Sequence, residues 1–267
     1  MSQVRLGSTQ LTRLRDDLSD RDLAIVGQVS ELRLMTARQI ETLHFGEERH
    51  ASRVTATRTC RRVLERLVEN RLLIRLHRRI GGLRAGSAGY IYALGPVGQR
   101  VLELDGPRRR FREPTTLFVD HTLAIGQLVV GLTVAAQQGV CDLLAAEAEP
   151  TCWRPFAAVG GRQVLRPDLY VALGVGSYEH RFFVEIDRGT ESLPVVLRKC
   201  RVYDAYYRSG TEQAKHGVFP RACWVVPDEQ RAARLRQAID SSRDLTDRLF
   251  TVTVSDDAVG LLTGGTT

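Results

Sequence analysis

The sequence predicts an α+β protein of two domains, in which a basic helical domain with a hairpin precedes an α/β domain with a mixed sheet. Apolar residues recur at helical spacing in the first part of the chain, whereas strand-like apolar runs alternate with helices in the second. Between the two parts, DGPRRRFREPTT at 105–116 has two prolines, a glycine and a basic cluster, without apolar periodicity. We therefore expect a flexible basic arm at 1–18, a first domain at 19–104, a linker at 105–116 and a second domain at 117–260.

Net charge also changes sign along the chain. Residues 1–116 contain 22 Arg and no Lys against 13 acidic residues, a net charge of +9. Residues 117–267 contain 16 basic and 18 acidic residues, a net charge of −2. A basic domain joined to a slightly acidic one indicates a polyanion-binding module, with nucleic acid as the leading polyanion. An anionic membrane surface is the weaker alternative, because no basic amphipathic segment carries large apolar anchors.

Three helices, a hairpin and a short closing helix are predicted in the first domain. Ser19 and Asp20 are the candidate caps of LSDRDLAIVGQVSEL, and Thr36 is the candidate cap of MTARQIETLHF. In the third helix, ASRVTATRTCRRVLERLVENRLL, Leu64 faces inward, so that Arg58 and Arg62 project to the opposite side. LLIRLHRR, a Gly-rich tip and YIYALGPVGQRVLEL then predict a strand, a turn, a strand and a helix.

This order of elements is that of a winged helix-turn-helix domain, whose third helix enters the major groove of DNA while the hairpin, or wing, touches phosphate or the minor groove. The charge on both elements has one sign, which favours DNA binding over the alternative of a solvated basic face. Because two-fold symmetric half-sites are common for such domains, a homodimer is also expected. The predicted DNA-binding residues are Arg53, Thr55, Arg58, Arg61 and Arg62 on the third helix and His77, Arg78, Arg79 and Arg84 on the wing.

The second domain is predicted to be an α/β sandwich with a mixed sheet. A long apolar helix at 117–139 is followed by three strand-like runs, VCDLLAAEAE, VLRPDLYVAL and HRFFVEID, which Gly-rich turns separate. The next helix is capped by Ser192 and has Pro194 in its first turn. The strand RACWVVP, the helix DEQRAARLRQAID and the strand LFTVTV complete the domain.

Three acidic residues of the second domain are expected to converge. Glu185 and Asp187 are two residues apart on a strand and therefore point to the same face. Asp168 begins the neighbouring apolar run, so it lies beside them if the two strands pair as a hairpin. Converging carboxylates repel one another, and a divalent cation relieves the repulsion; all-oxygen ligation suits Mg²⁺ or Mn²⁺. Such a metal activates water and stabilises charge on a phosphate.

Lys199 is a candidate catalytic partner of these acids. The chain contains 36 Arg and only two Lys, and a lysine retained against that bias indicates a need for its compact ammonium group. Helical spacing places Lys199 beside the apolar stripe of its helix, from which it reaches back over the acids. The alternative is a structural ion network, in which Glu185 and Asp187 pair with Arg188, Arg198 or Arg201.

These residues resemble the PD-(D/E)xK nuclease core. RPD at 166–168 matches the first element of the motif and EID at 185–187 matches the second, except that Asp187 stands in the place of the motif lysine. Some lineages carry the lysine on the following helix, where Lys199 lies. The resemblance implies metal-dependent cleavage of DNA, with the three acids as metal ligands. An ExD pattern also occurs in non-catalytic relatives, which leaves a degenerate site as the alternative.

Several longer segments carry a more specific resemblance: DRDLAIVGQV, MTARQIETLHF, RRVLERLVENRLL, GYIYALGPVGQRVL, and VEIDRGTES with the downstream KCRVYDAYY. Over roughly residues 19–210 the chain resembles the plasmid replication-relaxation proteins of Gram-positive, especially actinobacterial, mobile elements. The resemblance implies a DNA-binding role in replication, DNA relaxation or conjugative mobilisation of an element. The non-enzymatic alternative is a replication accessory protein or transcriptional regulator whose second domain dimerises or recruits a partner.

Tyrosines near Lys199 raise the further candidate of a relaxase, which nicks one strand with a tyrosine and stays attached to the 5′ phosphate. Tyr203 and Tyr206 lie just beyond Lys199, and a metal held by acids beside a tyrosine would serve that chemistry. The alternative is that tyrosines at helical spacing pack in the core with a hydrated hydroxyl group.

Other classes of site are absent from the sequence. No GxxxxGK[ST], HExxH or GxSxG segment occurs, so no P-loop, zincin or α/β-hydrolase motif is indicated. The five cysteines never form a CxxC pair, as expected for a reducing cytoplasm. We expect no apolar run of membrane-spanning length, and the N-terminal segment has no apolar signal-peptide core. The expectation is a cytoplasmic protein that does not bind a membrane.

Overall fold

Residues 7–46, 52–76, 90–103, 119–158 and 161–264 are described by a computed structural model of the chain. They form helices and strands together, and the second unit's sheet contains both parallel and antiparallel pairs, so the predicted α+β class with a mixed sheet is confirmed. The chain divides into two compact units, Met1–Val130 and Gly131–Thr267. The predicted linker at 105–116 and the predicted wing residues lie outside the described residues, so both stay predictions; the wing residues are His77, Arg78, Arg79 and Arg84.

The first unit consists of helices around a small antiparallel sheet. Within its described residues, β3 is the central strand and pairs with β1 on one side and β2 on the other. The helix α1 was not predicted. It replaces part of the expected flexible arm, and its Leu11 side chain is buried. The elements are α1 (Ser8–Asp16), α2 (Asp20–Leu32), β1 (Leu34–Thr36), α3 (Ala37–His44), α4 (Arg53–Glu69), β2 (Leu73–Leu76), β3 (Ile91–Leu94) and α5 (Pro96–Leu102).

Side-chain caps determine where α2 and α3 begin. The Ser19 hydroxyl accepts a hydrogen bond from the Asp22 amide at 3.2 Å, and the Asp22 carboxylate accepts one from the Ser19 amide at 3.0 Å. Thr36 and Gln39 form the same reciprocal arrangement at the start of α3. Each pair satisfies two amide groups that the first turn of a helix leaves without partners. The caps therefore begin both helices where the sequence predicts.

The second unit contains a five-stranded mixed sheet among its described residues, in the order β10-β9-β8-β7-β4. Strands β4, β7 and β8 pair antiparallel, whereas β8, β9 and β10 pair parallel. The antiparallel ribbon of β5 and β6 was not predicted. The elements are α6 (Val119–Gln137), which begins in the first unit, β4 (Asp142–Ala148), β5 (Arg154–Ala158), β6 (Gly161–Leu165), β7 (Leu169–Val175), β8 (Tyr178–Ile186), α7 (Leu193–Arg208), α8 (Thr211–His216), β9 (Arg221–Val226), α9 (Glu229–Asp240), β10 (Phe250–Val254) and α10 (Ala258–Leu262).

Helix α7 packs against one face of this sheet. The Phe183 ring on β8 lies 6.1 Å from the Tyr203 ring and 6.3 Å from the Tyr206 ring, measured between centroids. Because alternate residues of a strand share a face, Glu185 points toward α7 as well. The packing of α7 therefore places an acidic side chain inside a core that is rich in aromatic residues.

The length and composition of helix α6 correct one expectation. Its 19 residues are long and apolar enough to cross a bilayer by length and composition. The expectation that no apolar run reaches membrane-spanning length was therefore wrong. Half of its apolar stretch is buried within the protein, and a buried core helix meets the same criteria.

Candidate functional site

The outer face of α4 is the first candidate site. Ala56, Cys60, Val63, Leu64 and Leu67 bury the opposite side of this helix against the first unit. All five predicted DNA-binding residues of α4 are exposed, namely Arg53, Thr55, Arg58, Arg61 and Arg62. For four of the five this agreement follows from the 3.6-residue period, since burying one stripe of a helix exposes the other. Arg53 falls on the side of the buried stripe and is exposed because it is the first residue of α4.

The arginines of α4 differ in their partners. The Arg61 guanidinium lies 3.1 Å from the Glu65 carboxylate, one turn further along the helix. Arg66 pairs at 2.7 Å with the buried Asp22 carboxylate on α2, so its charge is used in a contact between two helices of the first unit. Within the described residues, Arg58 and Arg62 form no ion pair with an acid. They leave positive charge uncompensated on the outer face of the helix.

The second candidate site begins at Asp168, immediately before β7. The Asp168 amide donates to the Val184 carbonyl at 3.1 Å, and its carboxylate oxygen Oδ2 accepts from the Ile186 amide at 2.7 Å. The pairing of β7 with β8 thus brings Asp168 beside Glu185, as the hairpin prediction requires. Asp168 is held by backbone groups of the neighbouring strand.

Glu185 is a buried acid with two side-chain partners on α7. Its Oε1 accepts a hydrogen bond from the Tyr203 hydroxyl at 2.7 Å, and its Oε2 lies 3.1 Å from the Lys199 ammonium nitrogen. Burial, and after it the nearby Asp168 carboxylate, raise the pKa of Glu185 to about 8 against the opposing effects of Lys199 and Tyr203. The carboxylate form of Glu185 therefore depends on its α7 partners.

Lys199 is shared between two acids. Its Nζ lies 3.0 Å from Glu191 Oε1 as well as 3.1 Å from Glu185 Oε2, and 5.6 Å from the centre of the Trp224 ring. Burial alone lowers a lysine pKa, but the two carboxylates raise the pKa of Lys199 above its ordinary value. Lys199 therefore extends back to Glu185 as predicted, and its ammonium group is charged.

Asp187 has different partners from those expected. Its side chain is fully buried, and Oδ2 accepts from Arg231 Nε at 2.7 Å while Oδ1 accepts from the Gly189 amide at 2.8 Å. The ion pair at Asp187 is formed by Arg231, in the first turn of α9, which was not among the expected partners Arg188, Arg198 and Arg201. Asp187 thus belongs to a structural ion pair, which is the kind of role the alternative interpretation gave it.

The expected metal site of three carboxylates is not formed. Both oxygens of Glu185 and both of Asp187 accept hydrogen bonds from protein groups, and one oxygen of Asp168 does too. Across the described part of the chain, no group of three or more His, Cys, Asp or Glu side chains is arranged to hold a metal ion. Asp187 is paired with Arg231, so the three acids as arranged do not form a shared site for Mg²⁺ or Mn²⁺.

The two candidate nucleophilic tyrosines lie inside the second unit. Tyr203 is 1% exposed and Tyr206 is 2% exposed. The hydroxyl of Tyr203 donates to Glu185 and that of Tyr206 donates to the buried Glu212. Burial and these carboxylates raise both tyrosine pKa values, which opposes formation of a nucleophilic phenolate. This geometry agrees with the core-packing alternative and disagrees with the nucleophile prediction.

Three acids and bases of these networks were missed by sequence reasoning. Arg231 is 44 residues from Asp187 in the sequence, so no local spacing could reveal the pair. Glu191 directly precedes the cap of α7 and lies eight residues from Lys199, beyond the three- or four-residue spacing that predicts contact along a helix. Glu212 lies in α8, a short helix that the sequence did not predict.

Comparison with known proteins gives one family. The family model described as replication-relaxation matches residues 27–222, which include α4, Asp168, Glu185 and Lys199. A comparison with curated proteins found no match. The family match covers most of the chain and extends across parts of both units.

Proposed function

Because the chain belongs to the replication-relaxation family, we propose that it binds DNA and acts in the replication or relaxation of a plasmid or other mobile element. The observation that carries DNA binding is the exposed arginine face of α4, in a unit whose order of helices and antiparallel strands resembles a winged helix. In such domains the equivalent helix docks in the major groove. The net charge of +9 over residues 1–116 adds attraction for a polyanion.

The arginines divide by their position on α4. Arg58 is in the middle of the exposed face and is suited to reach base edges. Arg62 lies one turn further along and is suited to a phosphate contact, which gives affinity without sequence preference. Arg61 is held by Glu65 and contributes less. The face therefore supports duplex DNA as the ligand.

For the second unit we propose a non-enzymatic role, as a degenerate nuclease-like domain that dimerises or recruits a partner. Its order of strands, with an antiparallel β7–β8 pair followed by a helix and a parallel β9, resembles the PD-(D/E)xK core. Its acids are engaged in ion pairs and hydrogen bonds: Glu185 with Lys199 and Tyr203, and Asp187 with Arg231. These contacts support a structural role for the site.

Metal-dependent DNA nicking is the second candidate function. One observation favours it. Lys199, Glu185 and Asp168 are the residues that match the nuclease motif, and Lys199 contacts Glu185 beside Asp168. Binding of Mg²⁺ or Mn²⁺ there would require Glu185 to leave its α7 partners. The role of Lys199 as a catalytic residue is therefore kept as the alternative.

Duplex DNA binding is tested with a labelled duplex carrying the origin region of the host element, by fluorescence anisotropy. The double variant Arg58→Ala/Arg62→Ala should bind at least about tenfold more weakly than the wild type. Arg234→Ala removes an exposed arginine from α9 and is the matched control, for which affinity should not change. Equal affinity of the wild type and the double variant would overturn the assignment of α4.

Nicking is tested separately, with supercoiled plasmid carrying the same origin and Mn²⁺. The non-enzymatic proposal expects no metal-dependent nicked product. A nicked product that disappears in both Asp168→Asn and Lys199→Met would establish the nuclease candidate instead. A covalent protein–DNA adduct lost in Tyr203→Phe or Tyr206→Phe would establish a relaxase.

A further inference from the structure

Val54 is an exposed apolar residue in the first turn of α4. It is 61% exposed, and the residues on either side of it, Arg53 and Thr55, are polar and exposed. The hydroxyl of the cap residue Ser52 accepts a hydrogen bond from the Thr55 amide, and the hydroxyl oxygens of Ser52 and Thr55 lie 3.0 Å apart. These contacts fix the conformation of the first turn. An apolar side chain is thus presented to solvent at the beginning of a strongly basic helix.

The helical period places Val54 on the same face as Arg58. At 100° per residue, the buried residues of α4 centre on one side of the helix, and Arg58 projects almost opposite to them. Val54 lies about 40° around the helix from Arg58 and one turn closer to the N-terminus. The two side chains are therefore stacked along the middle of the outer face.

An acid limits where DNA can approach this face. Glu65 projects from the same side of α4, further toward the C-terminus, with half of its side chain exposed. Its carboxylate repels phosphate, and its pairing with Arg61 reduces the positive charge there. The N-terminal half of α4, which contains Val54 and Arg58, has no acidic residue of its own. The Glu41 carboxylate of α3 accepts a hydrogen bond from Thr57 at 2.6 Å, but Thr57 lies about 100° around the helix from Arg58. The outer face of this half therefore favours the approach of a phosphate backbone more than the half that contains Glu65.

Resting on the proposed DNA binding, we infer that Val54 and Arg58 read neighbouring bases in the major groove. Val54 packs against the C5-methyl group of a thymine, and Arg58 donates two hydrogen bonds to O6 and N7 of a guanine. A valine has no donor for a phosphate, and the thymine methyl is the apolar group that the major groove offers. One helical turn of about 5.4 Å, against a rise of about 3.4 Å per base pair, places the two bases one to two base pairs apart.

The test begins with a binding site selected by the wild-type protein from a random duplex library. Each thymine of that site is then replaced by deoxyuridine, which lacks the methyl group, and affinities are measured for the wild type and Val54→Ala. At one thymine the wild type should lose about fourfold in affinity, as for one buried methyl group, and Val54→Ala should lose none. Val140→Ala, a change at an exposed valine of the second unit, is the matched control and should keep the wild-type response.

Arg58 is tested on the same site with 7-deazaguanine, which lacks the N7 acceptor. The guanine whose replacement weakens binding of the wild type should lie one to two base pairs from the thymine whose replacement does so, and its replacement should not weaken binding of Arg58→Ala.

If replacing a thymine never weakens binding of the wild type, or weakens binding of Val54→Ala equally, Val54 does not read a methyl group and the inference fails. A selection that returns no preferred sequence also overturns it, while salt-sensitive affinity for random duplex would leave the proposed DNA binding standing. Absence of any duplex binding would overturn both.

Discussion

The Arg231 guanidinium lies against the Asp187 carboxylate, with Nε 2.7 Å from Oδ2, and both side chains are largely removed from solvent. A second nitrogen of the same guanidinium donates to the Glu191 carbonyl at 2.6 Å. Arg231 therefore ties the start of α9 to both ends of the loop that joins β8 to α7. The sequence resemblance to the PD-(D/E)xK motif predicts Asp187 at the place of the motif lysine, and in the structure this acid is paired with Arg231.

Removing one partner of this pair should destabilise the protein strongly. Arg231→Ala leaves the buried Asp187 carboxylate without its cation, so we expect the free energy of unfolding to fall by about 3–5 kcal/mol, from urea denaturation. In Asp187→Asn/Arg231→Met, neither buried charge remains, and much of that loss should be recovered.

The exposed pair of Arg201 and Asp244 provides the control. Both side chains are more than half exposed, at 53% and 54%, so Arg201→Ala should change stability little. A loss in Arg231→Ala no greater than the loss in Arg201→Ala would contradict the structural role of Asp187.

The raised pKa of Glu185 predicts a pH dependence of stability. Its pKa is about 8 in the folded protein against an ordinary value of 4.5, so the folded state holds the proton more tightly than the unfolded chain. The stabilisation is complete below pH 4.5 and is lost as pH rises toward 8. Glu185→Gln cannot ionise, so relative to this variant the wild type should lose roughly 2–4 kcal/mol of unfolding free energy over that range.

This comparison is made by urea denaturation of the two proteins at several pH values. Parallel stability profiles for the wild type and Glu185→Gln would show that the Glu185 pKa is not raised. Lys199→Met should steepen the fall, because removal of the ammonium group raises the Glu185 pKa further.

Tyr203 is predicted to support the fold and to have no part in DNA chemistry. Tyr203→Phe removes the hydroxyl that Glu185 Oε1 accepts from, so stability should fall by about 1–3 kcal/mol while DNA affinity stays unchanged. Unfolding and anisotropy experiments on the same sample separate the two effects. Unaltered stability together with weakened DNA binding would be the opposite of this expectation.

Close backbone packing at Gly98 gives a prediction for the first unit. A Cβ atom at Gly98 would lie 2.2 Å from the Leu72 carbonyl oxygen, so Gly98→Ala should lower the free energy of unfolding by about 1–3 kcal/mol or more. Gly27 is also helical but has no atom within 4 Å of such a Cβ. Gly27→Ala should therefore stabilise α2 by up to about 1 kcal/mol, because alanine favours a helix. Thermal unfolding of both variants checks the difference, and destabilisation by Gly27→Ala would contradict it.

Local signals explain which parts of the fold the sequence predicts. Ser19 and Thr36 mark the starts of α2 and α3 because each cap bonds to a residue three positions away. Lys199 reaches Glu185 because α7 follows β8 after a short loop and packs on the face to which Glu185 points. These relationships depend on spacing within one element or between neighbours, which periodicity reveals.

Long-range relationships explain what the sequence does not predict. The partner of Asp187 comes from α9, beyond a helix pair and a strand, so no spacing indicates Arg231. The short strand β1 exists because its residues pair with β3, which lies more than 50 residues later. The burial of Tyr203 and Tyr206 is decided by the sheet face onto which α7 packs, and for that reason a catalytic and a core interpretation were both open.

The most direct test of the account is the salt dependence of DNA affinity in the wild type, Arg62→Ala and the control Arg234→Ala. Log affinity should fall linearly with log salt concentration in the wild type, and the slope should be shallower by about 0.9 in Arg62→Ala because one phosphate contact is lost. Arg234→Ala should retain the wild-type slope. An unchanged slope in Arg62→Ala, or an equal change in Arg234→Ala, would contradict the claim that α4 binds DNA.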